Sequence, residues 1–82
     1  MRLDKFLKVS RIIKRRTVAN EACDASHISV NGRTQKASYD VKIGDEITVS
    51  FGAREVTVRV LSLKETVKKE EAVGMYEVVS KS

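Results

Sequence analysis

Residues 46–60 read Glu46-Ile47-Thr48-Val49-Ser50-Phe51-Gly52-Ala53-Arg54-Glu55-Val56-Thr57-Val58-Arg59-Val60. Apolar and polar residues alternate on both sides of Gly52-Ala53, the pattern of two half-buried strands joined by a tight turn. The stretch therefore predicts an antiparallel hairpin. Just before it, Gly44-Asp45 gives a turn signal and Val41-Lys42-Ile43 alternates as well. Further back, His27-Ile28-Ser29-Val30 alternates and ends on Asn31-Gly32, a pair suited to a turn with positive φ. Residues 33–40 are polar and predict a loop. Downstream, residues 63–73 are charged and irregular, a loop or a short helix, and Met75-Tyr76-Glu77-Val78-Val79 predicts a last strand.

Toward the N-terminus the period changes. From residue 2 to about Ile13, Leu3, Phe6, Leu7, Ser10 and Ile13 fall on one helical face, with Lys5, Lys8 and Arg11 opposite, beside Asp4. A second helix is predicted from Arg16 to Ala25, with Val18, Ala19, Ala22, Cys23 and Ala25 as a small inward face. Lys14 or Thr17 stands near its start, but no strong N-cap followed by Glu marks it. The expected fold is α+β: two N-terminal helices on a small antiparallel sheet, with residues 52–82 as a C-terminal β extension of the same compact unit.

A chain of 82 residues has room for one domain with a thin core. The net charge of +5 is unevenly placed. Residues 1–36 hold nine Lys or Arg against three acidic residues, whereas residues 37–82 hold seven basic and eight acidic ones. Such a field attracts a polyanion, with counterion release supplying affinity. An anionic membrane would call for a wide face of bulky apolar residues as well. The charged opening argues against a signal peptide, and no run approaches the roughly 20 apolar residues of a membrane span. A cytosolic setting follows as the expectation, with Cys23 a buried, inert thiol.

Catalytic chemistry is not visible. His27 has no arranged Cys or carboxylate partner, and Cys23 with His27 falls short of the four ligands that zinc takes. The glycines stand singly in separate turns, so no phosphate loop forms. We expect no enzyme activity, no metal and no cofactor.

The ordered set Arg2-Leu3-Asp4-Lys5-Phe6-Leu7, Lys14-Arg15-Arg16, Ile28-Ser29-Val30-Asn31-Gly32, Lys36, Ser38-Tyr39, Val41 and Gly44-Asp45-Glu46-Ile47 resembles the small RNA-binding domain named after ribosomal protein S-four, over about residues 1–51. With the later stretch from Thr66 to Val78, the chain resembles the bacterial RqcP family (formerly YabO), relatives of a ribosome-associated heat-shock protein. The resemblance implies the alpha-L RNA-binding motif. It also implies a role in ribosome-associated quality control on large ribosomal subunits that hold a peptidyl-tRNA, in cooperation with RqcH, which directs alanine tailing. The expected partners are thus large-subunit rRNA, peptidyl-tRNA and RqcH, with the chain a monomer. The heat-shock relative has a longer basic tail than the ending Glu77-Val78-Val79-Ser80-Lys81-Ser82, which favours RqcP. The other readings are a general ribosome-recycling factor and an enzyme fragment, since the domain is also appended to pseudouridine synthases and a tRNA synthetase.

The family places its RNA face on the two helices and their turn, where Arg2 and Arg16 match its arginines. An arginine fork can bond phosphate in pairs or stack on an unpaired base. Lys5, Lys8, Arg11, Lys14 and Arg15 are expected to contact phosphates. Asp4, repelled by phosphate, is expected to orient an arginine such as Arg16 or to cap the first helix. Lys36 and the Asn31-Gly32 turn rank after these.

Overall fold

The computed structural model describes residues 1–65 and 67–81. The hairpin that decides the fold is there: β3 (Glu46–Phe51) pairs antiparallel with β4 (Arg54–Val60). Ile47 faces Val58 and Val49 faces Val56 across it, so the apolar sets of both strands fall on one side. Before it come β1 (Ile28–Val30) and β2 (Arg33–Thr34), and after it β5 (Tyr76–Lys81). The sheet runs β2-β1-β3-β4-β5, every pair antiparallel. Asn31 and Gly32 take φ of 52° and 83°, as a two-residue hairpin requires, and close β1 on β2.

Ahead of the sheet, α1 (Leu3–Val9) packs on α2 (Arg16–Asp24). Leu3, Phe6 and Leu7 from α1 and Ala19 and Cys23 from α2 join Ile28, Val30, Ile47, Val49, Val58, Val60 and Met75 in one buried cluster. The core is thus shared between the helical half and the residues beyond 51. A short helix α3 (Lys69–Ala72) and one 3₁₀ turn (Val73–Met75) lead into β5.

The structure corrects the sequence reading at several places. The first helix stops at Val9 and does not reach Ile13, because Arg11 turns to a φ of 63°. Ser10 and Ile13 are nonetheless buried, so the apolar spacing reported burial past the point where the helix ends. The second helix ends at Asp24, and Val18 and Ala25, expected inside, are exposed. Residues 33–40 are not wholly loop, since Arg33 and Thr34 form β2. Val41–Ile43 is not a strand. Its neighbour Asp40 makes an isolated antiparallel bridge to Arg2, and Val41 N–H donates to Met1 O at 2.8 Å. Of residues 63–73, expected as a loop or a short helix, Lys69–Ala72 form a short helix, and Thr66 lies outside the described residues. No helix among the described residues is long and apolar enough to cross a membrane.

Candidate nucleic-acid interface

Asp4 sits in the first turn of α1 with its side chain only 4% exposed. Its Oδ1 accepts from Arg2 Nε at 3.2 Å, from Arg16 Nη2 at 3.4 Å and from the Lys5 backbone N–H at 2.8 Å. Its Oδ2 accepts from Asn20 Nδ2 at 3.3 Å and from Arg2 Nη2 at 3.4 Å. Burial pushes the carboxyl up, but the bonds from Arg2, Asn20 and Arg16 outweigh it and hold Asp4 below the usual carboxylate value of 3.8. The anion therefore persists and fixes two guanidinium groups that stay half exposed (50% for Arg2, 48% for Arg16). Both roles expected for Asp4 have contacts here: it holds the two arginines and accepts the free Lys5 N–H in the first turn of α1. The N-cap residue Arg2 makes no side-chain cap.

Arg2 reaches Asp4 because the chain start is pinned to the loop after β2. Leu3 N–H donates to Tyr39 O at 2.8 Å, and the terminal amine meets Asp40 Oδ1 at 2.9 Å. Arg2, Asn20, Gln35, Lys36 and Ser38 consequently line one open groove of about 650 Å³ between α2 and that loop. Asn20 lies four residues after Arg16, on the same face of α2. That spacing was the signal that could have marked it, and the sequence reading missed it. Arg15 is the N-cap of α2 and forms no side-chain cap, so free N–H groups at this helix start add to the positive field.

The remaining basic residues gather elsewhere. Lys8, Arg11 and Lys14 line a second cleft of about 700 Å³ together with Glu65, Val67 and Lys69. Lys69 lies in a mixed charge run, where charge alone gave no reason to single it out. Lys5 is half-buried, and its Nζ meets Glu65 at 3.3 Å. Asn31 is exposed, and its side-chain amide ties the turn to the start of β3. Its Nδ2 donates to Asp45 Oδ1 at 3.0 Å and its Oδ1 accepts from Glu46 N–H at 3.0 Å. Asp45, itself buried, also accepts from Tyr39 Oη and Lys42 N–H, both at 2.9 Å. Burial raises its carboxyl, yet the bonds from Lys42, Asn31 and Tyr39 bring it below the ordinary value. Cys23 is buried, and its thiol is pushed up to about 11 by burial and then by Asp4 and Asp24. His27 is exposed. Among the described residues no cluster of His, Cys, Asp and Glu could hold a metal ion.

Helices carrying an ordered arginine pair, followed by a small sheet, define the class: residues 1–47 match the S4 domain. Two solved structures share the whole arrangement. The trimeric heat shock protein 15 of Vibrio cholerae superposes with a TM-score of 0.90 at 30% identity, covering 98% of this chain and 82% of that one. The solution structure of the hypothetical protein HP1423 gives 0.83 at 28% identity, with both chains fully covered. Among curated proteins, the RQC P-site tRNA stabilizing factor of Bacillus subtilis is 63% identical over 96% of this chain and 92% of its own. The factor of the same name from Streptococcus pneumoniae is 54% identical over all of this chain and 93% of its own. This chain belongs to the family of the RQC P-site tRNA stabilizing factors. Heat shock protein 15 of Escherichia coli is a more distant relative, 32% identical, of which the chain spans 62%.

Proposed function

We propose that the chain is an RNA-binding factor of ribosome-associated quality control. It binds large ribosomal subunits obstructed by peptidyl-tRNA and supports RqcH-dependent alanine tailing of the stalled chain. The observation that carries this is the Asp4 network, which holds Arg2 and Arg16 in fixed, half-exposed positions on the basic helical half. Two preset forks can grip phosphate in pairs, or stack on a splayed base, without the entropy loss of ordering free side chains. Lys36 shares the groove with Arg2, and Arg15 extends the positive field along the start of α2. The name of the Bacillus subtilis relative ties that protein to P-site tRNA, and the identity over nearly both full lengths carries the same partner to this chain. The protein acts in the cytoplasm, as a monomer on the ribosome, by binding and not by catalysis.

The close superposition on heat shock protein 15 of Vibrio cholerae favours a second reading, a general ribosome-recycling factor. One experiment tests both: pull-down of tagged wild type and of Arg2→Ala/Arg16→Ala from bacterial cells with stalled ribosomes. Recovery of large subunits, tRNA and RqcH by wild type alone is the expected result. Subunits without RqcH would favour the recycling factor. Equal recovery by both proteins would remove the two arginines from the interface.

A further inference from the structure

Arg11 occupies a position that local energetics reserve for glycine. It is the second residue past the end of α1, its N–H donates to Lys8 O at 3.0 Å, and its φ is 63°. Helices commonly end on a left-handed residue at this place, usually Gly because a Cβ is strained there. Within the described structure the Arg11 side chain has no hydrogen bond or ion pair that would compensate the strain, and it is exposed. Ser26 takes the same φ after α2, so it is the exposed, unpaired cation at this turn, more than the strain, that points to a contact made outside the chain.

The surroundings say what that contact is. Arg11 lines the cleft with Lys8, Lys14 and Lys69, and among the described residues none of these four has an ion-pair partner. The acidic residue on the rim, Glu65, is engaged by Lys5 at 3.3 Å. Beyond Arg11 and Lys69 the cleft continues into a smaller, mainly apolar hollow of about 450 Å³ that Val73 and Tyr76 help to line, with Glu70 the one carboxylate there. Unpaired cations beside an apolar recess with an aromatic ring match the phosphates and an unstacked base of an RNA strand.

We infer that Lys8, Arg11, Lys14 and Lys69 form a second RNA-backbone subsite, separate from the groove that Arg2 and Lys36 line and from the Asp4-held arginine pair. Helix α3 and the start of β5 complete it from outside the S4 domain. The inference rests on the RNA-binding role proposed above and adds a second strand contact to it.

The test is titration of the full chain onto purified large ribosomal subunits at several salt concentrations, using Arg11→Gly, Arg11→Lys, Lys69→Ala and Arg2→Ala. Arg11→Gly is expected to melt at the same or a higher temperature than wild type and yet bind more weakly. Its log–log salt slope should fall by about 0.9, the value of one lost phosphate contact on duplex, or about 0.7 on a single strand. Lys69→Ala should shift the slope alike, and Arg11→Lys should restore it. Wild-type affinity and slope for Arg11→Gly and Lys69→Ala, with Arg2→Ala weakened, would overturn the second subsite and leave the proposed function standing. A lower melting temperature for Arg11→Gly would overturn the strain argument. No binding by wild type would remove both readings.

Discussion

At the scale of single residues, two buried carboxylates organise the molecule. Asp4 holds the arginines of the helical half, and Asp45 holds the turn and loop of the sheet half. Both sit below 3.8 in the fold and return to about the ordinary value on unfolding. The stability they lend is therefore complete above that value and is lost as pH falls through the lower folded ones. Asp4→Asn keeps the shape and removes the charge. Urea melts at neutral pH should show it less stable by about 1–2 kcal/mol, modest because both arginines are half exposed. Its stability should fall less than that of wild type as pH is lowered toward the acid transition. Ribosome binding should weaken as well, since Arg2 and Arg16 lose their common anchor. A variant that kept wild-type acid sensitivity would show that Asp4 does not carry the transition.

At the scale of elements, what could be read from the sequence followed strict periodicity. The β3–β4 hairpin was legible because Glu46–Phe51 and Glu55–Val60 alternate on either side of Gly52. The Asn31-Gly32 turn was legible because few other pairs tolerate two positive φ angles in a row. The end of α1 was not, since burial of Ser10 and Ile13 prolongs the apolar spacing beyond the last helical residue. The tie between Asn31 and Asp45 spans fourteen positions and carries no local signal. It gives Asn31 a structural part as well: its amide ties the turn to Asp45 and Glu46, while the residue stays exposed. Asn31→Ala loses two hydrogen bonds and leaves Asp45 one donor short. It should cost about 1–3 kcal/mol in denaturant melts, with ribosome affinity of the folded fraction unchanged. An affinity loss at equal stability would restore Asn31 to the interface.

At the scale of the whole molecule, the helical half and the β extension share one core. Val58, Val60 and Met75 pack in the same cluster as Leu3 and Phe6. A chain ending at residue 51 would expose that cluster and turn β3 into an open edge with unpaired backbone groups. We expect residues 1–51 alone to lack a cooperative thermal transition, as read by circular dichroism. A sharp transition would make the N-terminal part an independent domain. Arg2 and Arg16 were legible because they fall in a motif. Lys69 was not, because its value comes only from the fold, which brings it across from Lys8 and Lys14.

The lone thiol offers an internal clock. Cys23 lies against the helical half of the core, and its thiol is held protonated well above neutral pH. A thiol-reactive probe meets it slowly, because Cys23 is 4% exposed at the floor of the groove that Arg2 and Lys36 line and the nucleophile is the scarce thiolate. Labelling in excess reagent consequently reports access to the groove that Cys23 lines with Arg2 and Asn20. With one cysteine in the chain, every adduct reports the same event. The rate on and off the ribosome would measure how far RNA covers that groove, without any engineered label.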